Sequence, residues 1–476
     1  MILNIAGRSL SAQQLAMEVT GNNLANSTTT GYQNETANLV ETPPIPSSQL
    51  DGSLQGQGVS VDAITRASNA FLSRSVRTQQ GSTGYWDSLN TSLSQIQNVF
   101  QEPSSSGLSE AMSAFFNSWL TLSQTPSSLS ARQAVVDQGQ SLASTFNSMS
   151  SQITGEIQNI NQSVVNTVQK VNTLTTQIAK LNSQITTVTG SGGSADTLLD
   201  QRGTLMNQLS KLVNISYTVS PDQSVNIYLG SNALVVNQTA HSLVTSAPTT
   251  AYGVDAVSFH DNPGQVLTSS TGLQNGELAG LLTAGNQTLP GYLGSLNDLA
   301  SSLAQAVNTQ QESGYTLNSA TKGAAFFTSS SSTTAPVTAS TIEVSPLMTS
   351  QNVAAASSPN APGDGSNALA IANQIGSPEM SPTTGSLDTT TTGVTFSQYF
   401  TNLVGQVGND GQQASNQYTS AQATLSSLQN AQESATGVDV NEQSANLIQE
   451  QQSYQAAAQL VSVEQSTMVS LLAAVS

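Results

Sequence analysis

Between Ile157 and Val188, apolar side chains return every seven residues in two adjacent registers. Ile157, Val164, Val171, Ile178 and Ile185 form one row. Ile160, Leu174, Leu181 and Val188 form the other, with Thr167 as its polar member. Two such rows make a narrow seam, and about five heptads of seam require a long helix packed on another helix. The spacing predicts one very long helix, or two in succession, over 130–189. GSGGSAD (190–196) breaks it, and TLLDQRGTLMNQLSKLV (197–213) reads as the returning arm of an α-hairpin.

Both ends of the chain carry the same period. Leu3, Leu10, Met17 and Leu24 recur every seven residues, with Ile5, Ala12 and Val19 as a second row. Val440, Leu447, Tyr454, Val461, Met468 and Val475 do likewise, and Ile448, Ala458, Leu471 and Leu472 widen the stripe. The spacing predicts a helix over 1–26 and a closing helix of roughly 35 residues, about 50 Å long at ~1.5 Å per residue. That length exceeds an ordinary globular helix. Matching seams predict that the two ends pack together as a stalk, Leu3, Leu10, Met17 and Leu24 against Val440, Leu447, Tyr454, Val461 and Met468.

Between the ends the pattern is nested. Residues 214–266 alternate, are rich in β-branched side chains and turn at Pro221-Asp222, which reads as strands. Residues 269–314 return to helix. Residues 325–395 are rich in Ser, Thr, Ala and Pro, with one strand-like run at 339–345. From 396 onward the chain is helical again. The expected fold is mainly α with β insertions, an α+β multidomain chain. It comprises paired N- and C-terminal coiled-coil helices, a long-helix bundle middle domain and outer β-rich domains. The expected division is a terminal stalk (1–40 plus 430–476), a helical middle domain (41–213 plus 270–324 plus 396–429), a β-rich outer insertion (214–269) and a Ser/Thr-rich insertion (325–395).

Composition narrows the function. Charged residues make up 8% of the chain and the net charge is −18. All ten Lys and Arg lie between Arg8 and Lys322. A nucleic-acid binder needs a basic face to neutralise phosphates, and binding to an anionic membrane needs the same; this chain presents neither. The N-terminus has no long apolar core behind a basic region, so no secretory signal is expected. No stretch approaches the roughly 20 apolar residues of a membrane helix. There is no cysteine, so thiolate chemistry and disulfides are excluded.

Chemistry-bearing motifs are scarce. His241 and His260 lie in the strand region without carboxylates at ligand spacing, and no metal or cofactor is expected. There is no Gly-rich phosphate loop, no G-x-S-x-G and no H-E-x-x-H. Asp200 and Arg202 in LLDQR suit a salt bridge on a helical hairpin. A carbohydrate-cleaving enzyme built on two of the 28 acids stays open as the alternative of a different class, but the expectation is no catalysis.

The run TGNNLANSTTTGYQNE (20–35) follows the first helix. Asn22, Asn23 and Asn26 suit ending that helix and satisfying its backbone groups. GNNLANSTTTGY resembles the N-terminal signature of bacterial flagellar axial proteins, the rod, hook and hook-associated family. VDVNEQSANLIQEQQSYQAAAQLVSV is similar to their closing helix. Internal runs at 56–100, 108–149, 198–216, 275–282, 296–315 and 361–374 resemble the hook-associated members of the hook–filament junction, in the family's order. Thr30 stands where Pro is frequent, Gln33-Asn34 where Ser-Arg is common, and Gln in QEQQSYQ where rod and hook proteins carry Arg. A hook or rod protein is the neighbouring alternative.

The resemblance implies a structural role: a ring of identical subunits joining hook to filament and needed for filament assembly. The implied partners are the chain itself, the hook protein, the next hook-associated junction protein and an export chaperone on the C-terminal region, without nucleic acid or membrane insertion. It also implies type III export to an extracellular place on the flagellum. Leu3, Leu10, Met17, Asn22, Asn23, Leu24, Asn26 and Tyr32, with Val440, Leu447, Tyr454, Val461, Met468 and Leu472, are the implied assembly residues.

Overall fold

The computed structural model describes residues 2–46, 54–102, 104, 107–248, 250–317, 319–332, 335–377, 379–382, 384–387 and 393–475. Helix α1 (Ile2–Asn26) leads into a ribbon of β1 (Glu35–Glu41), β2 (Ile45–Pro46), β3 (Leu54–Gln55) and β4 (Val59–Arg66). Helices α2 (Ala70–Val99), α3 (Leu108–Gln124), α4 (Leu129–Gly190) and α5 (Asp196–Leu212) follow. Seven short strands come next: β5 (Ser216–Val219), β6 (Val225–Leu229), β7 (Asn232–Val236), β8 (Thr239–Ala240), β9 (Leu243–Ser246), β10 (Ala256–Phe259) and β11 (Asn262–Val266). Helix α6 (Glu277–Thr283) passes through one π turn into α7 (Leu289–Ser313). Strands β12 (Phe327–Ser329) and β13 (Ile342–Val344), helix α8 (Ser366–Asn373) and helices α9 (Phe396–Thr436) and α10 (Val440–Val475) complete the chain.

The heptad seam lies on α4, a single helix of 62 residues, about 93 Å long at ~1.5 Å per residue. Ile157, Ile160, Val164, Val171, Ile178, Leu181 and Ile185 are buried along it. Thr167 is buried too, and its hydroxyl donates to Glu277 Oε1 at 2.9 Å, so the seam's polar member has a partner.

The chain forms two compact units. One contains residues 1–83, 170–242 and 421–476; the other contains 84–169 and 243–420. In the first, α1 packs on α10 and on the antiparallel pair β1–β4, while β5-β6-β7-β8 form an antiparallel meander. Asn182 on α4 fastens that meander. Its Nδ2 donates to the carbonyls of Val225 and Asn237, and its Oδ1 accepts from Val225 N. Arg202 on α5, buried, donates to Asn182 Oδ1 at 2.9 Å and to the Gln223 carbonyl at 2.6 Å. Burial, then the nearby Arg77 and Arg66, pushes its pKa down to about 10.

The second unit is built on aromatic packing. Phe115 of α3 meets Phe326 and Phe327, Trp119 meets Phe326, and Phe116 stacks on Phe396. Gly139 on α4 lies under Phe326, where a Cβ would approach the ring to 2.6 Å. Arg132, also buried, donates Nε to the Pro126 carbonyl at 2.7 Å and Nη1 to the Val353 carbonyl. The aromatic residues of α3 and Arg132 of α4, within the run 108–149, therefore serve the core.

Three features depart from the sequence reading. Residues 35–66 contain strands, where the sequence reading expects helical character from 41. VSVDAIT does alternate, but Pro43, Pro44 and the glycines at 52, 56 and 58 interrupt the signal. Helix α8 lies within the insertion expected to be strand or loop. Its start is fixed by Asp364, whose carboxylate accepts from the backbone N of Ser357 and Ser366. The strands expected as one insertion over 214–269 divide between the units. Asn182 and Arg202 hold β6 and β7 in the first, while β9, β10 and β11 form a sheet in the second, where Asp255 N donates to Asn161 Oδ1.

Candidate assembly site

Helices α1 and α10 run antiparallel: Asn23 meets Gln443, and Thr20 meets Glu450. The packed stripe of α10 is Gln443, Leu447, Glu450, Tyr454, Ala457 and Val461, at alternating spacings of four and three. On α1 the packed stripe is Ala12, Ala16, Val19 and Asn23 at the same alternation, with Thr20 beside it. The most buried stripe of α1 is therefore not the expected leucine row. The row Leu3, Leu10, Met17 and Leu24 lies about a third of a turn away at ~100° per residue. Leu10, Met17 and Leu24 are half-buried and Leu3 is exposed. The most buried positions of α1 thus include the second row, Ala12 and Val19, while Thr20 and Asn23 make hydrogen bonds to α10.

Of the expected partners on α10, Leu447, Tyr454 and Val461 lie in the stripe. Val440, Met468 and Leu472 are exposed. Met468 and Leu472 continue the packed face beyond the reach of α1, which has 25 residues against 36 in α10. Every residue from 465 to 474 is exposed, including Val469 and Leu471.

Asn23 is the hub of this contact. It is 1% exposed. Its Nδ2 donates to the Glu35 carbonyl at 2.7 Å and to Gln443 Oε1 at 3.0 Å. Its Oδ1 accepts from Tyr32 Oη at 2.9 Å and from Glu35 N at 3.0 Å. Both donor hydrogens and both acceptor sites are thus used. Asn34 extends the contact: its N donates to the Thr436 carbonyl and its Oδ1 accepts from Gln443 Nε2 at 3.4 Å. Asn22 and Asn26 do something different. Asn26 Nδ2 donates to Asn22 O and Oδ1, closing the last turn of α1.

The turn after α1 is also fixed from outside. Arg66 pairs with Asp200, and Gln33 N donates to Asp200 Oδ2 at 3.2 Å. Burial, then the charges of Glu35, Asp200 and Asp196, pushes the Tyr32 phenol up to about 12, so it stays a neutral donor to Asn23. Gly31 has φ +85°, and a Cβ there would come within 2.5 Å of Thr204 Oγ1. We expect Gly31→Ala to destabilise this unit by about 1–3 kcal/mol, combining left-handed strain and the clash. In denaturant melts, adding Thr204→Ala should return only the steric part.

Glu450 is the uncompensated group in the contact. Oε1 accepts from Thr20 Oγ1 at 2.9 Å, while Oε2 is buried with no partner. Burial raises its pKa, partly opposed by the Thr20 hydrogen bond. A carboxyl raised in the folded state contributes stability that is fully present below its ordinary value of 4.5 and lost as pH rises through the raised value. Protection of α1 amides against hydrogen exchange should therefore increase as pH falls from neutral toward 4.5. Glu450→Gln should flatten that increase, whereas an unchanged pH slope in the variant would remove Glu450 as its source.

Among the described residues, no group of three or more His, Asp or Glu side chains is placed to hold a metal ion. Asp200 is engaged by Arg66, Arg202 by carbonyls, and His260 is exposed.

The chain matches the family described as "Flagellar hook-associated protein FlgK helical domain" over residues 93–327. Residues 3–33 match "Flagella basal body rod protein". "Flagellar hook-associated protein 1" of Bacillus subtilis (strain 168) is 30% identical, covering 98% of this chain and 96% of that protein. The Salmonella typhimurium protein of the same name is 29% identical over 68% of this chain and 59% of its own length. A solved structure titled "The structure of the flagellar hook junction protein FlgK from Burkholderia pseudomallei" superposes with a TM-score of 0.66 at 17% identity, covering 76% of this chain and all of that one.

Proposed function

The chain belongs to the flagellar hook-associated protein 1 family, and from that premise we propose that it is the adaptor between hook and filament. It is a structural component of the flagellum, and the observation that carries this role is similarity along nearly the whole chain. The rod-type match, confined to 3–33, covers only the opening helix and turn that the axial proteins share.

Identical subunits form a ring through the terminal stalk, 1–40 with 430–476. Within one subunit the Asn23 hub clasps α1 to α10. Between subunits, the exposed apolar residues at the end of α10 supply the contact. A helix with apolar side chains on several faces is stable in water only when other surfaces cover it. The low charge suits this role, since burying charges between subunits is costly whereas Gln, Asn, Ser and Thr hydrogen-bond across an interface. Hook protein lies on one side of the ring and the next hook-associated junction protein on the other. Before export through the type III route, a chaperone covers the C-terminal region, and the assembled protein is extracellular. We read the protein as non-catalytic.

Deletion of the gene in its host tests the role. Hooks without filaments, with monomeric filament protein in the medium, are expected. A motile deletion strain with filaments attached overturns the reading.

A further inference from the structure

Near the start of α2, Arg74 and Arg77 both lie over the ring of Tyr217, at 5.8 and 4.9 Å from its centroid. Arg77 also donates Nε to Asn207 Oδ1 at 2.9 Å. Arg66, close by, is paired with Asp200. Arg74 and Arg77 form no ion pair with any described carboxylate, in a chain of net charge −18. Arg74 is exposed. Phe71, one turn before it, is 76% exposed, and Val219, two residues beyond Tyr217, is 61% exposed. Tyr217 and Val219 share one face of β5, the edge strand of its sheet. A guanidinium held by stacking keeps its in-plane N–H groups free for a carboxylate. Apolar side chains beside it suit a partner with an apolar residue next to its acid.

We propose that this patch is a contact between copies, receiving the start of α10 of a second copy: Asp439, Val440 and Glu442. The inference rests on the ring reading above and names one of its contacts. Among the described residues, Val440 alone of the exposed large apolar side chains has exposed acids within two residues on both sides. Its charges are opposite to those of the patch, and its apolar side chain matches Phe71 and Val219. A contact joining two different surfaces is head-to-tail, as a ring requires. Opposite charges also set its register, since a shifted copy would leave Arg74 and the acids without each other.

The chain's lack of cysteine makes the test clean. Two variants, Arg74→Cys and Glu442→Cys, are co-expressed in a flagellated host lacking its own copy. Isolated flagella are treated with a short bis-maleimide. A cross-linked dimer containing one of each variant is expected. Leu471→Cys copies report copy-to-copy contact independently. If these link while the Arg74→Cys variant links to another protein, to itself or to nothing, the patch assignment is overturned and the ring stands. If neither pair links, the ring reading fails and the inference with it. In the charge-exchange arm, Arg74→Glu should lower the amount of protein at the hook tip about tenfold, and adding Glu442→Arg should restore it. No restoration, with circular dichroism unchanged in both variants, also overturns the assignment.

Discussion

Asn23→Ala will lower the opening free energy of α1 by about 3 kcal/mol, read by native-state hydrogen exchange. The side chain is buried and makes four hydrogen bonds. Removing it leaves Glu35 N, the Glu35 carbonyl, Gln443 Oε1 and Tyr32 Oη without their partner. Each such loss costs about 1–3 kcal/mol when the group stays buried, but the terms do not add. Gln443 can retain Asn34, and the Tyr32 hydroxyl can turn toward water, so the sum stays well below four full penalties. Asn22→Ala and Asn26→Ala remove an exposed hydrogen bond within the last turn of α1 and should cost no more than about 0.5–1 kcal/mol. Asn23→Asp separates geometry from charge. It keeps the shape but loses both N–H donors and adds a negative charge beside Glu35, whose own pKa burial and neighbouring acids already raise. It should be at least as damaging as alanine. Equal effects of the three alanine substitutions would mean that the run acts only as a helix stop.

The contrast among these asparagines marks where the sequence could be read and where it could not. The α4 seam was legible because large β-branched and Leu side chains repeat over five heptads with one polar interruption. The pairing of the two ends followed from the same period. The most buried stripe of α1 did not follow, because the larger leucine row outweighed the small Ala12 and Ala16. Asn23 looked like its two neighbours because its partner Gln443 lies 420 residues away, and nothing local distinguishes a hub from a helix stop. Asn182 and Arg202 were hidden in the same way, since their acceptors are carbonyls of a sheet that only folding brings to them. Gly31 alone carried a local signal, its need for positive φ.

The second large effect belongs to the end of α10. Replacing Leu471 and Leu472 together with Gln will leave the isolated chain's unfolding free energy unchanged to within about 0.5 kcal/mol, yet abolish filament attachment. Both side chains are more than 60% exposed in the single chain, so neither holds its fold together. Gln is a good helix former, so the helix itself survives the change. Covering one leucine in a subunit contact contributes about 1.5–3 kcal/mol, so each copy loses about 3–6 kcal/mol of contact energy. The proposed ring would multiply that loss, because every subunit would carry the same defect. The Asn23 variant acts on the other contact: it loosens α1 from α10 within a subunit and leaves the apolar end intact. The two variants should therefore separate. Asn23→Ala exposes α1 amides in the monomer, and the leucine pair leaves those amides protected while electron micrographs show bare hooks. Filaments of normal length on the leucine variant would place the ring contact elsewhere on the chain.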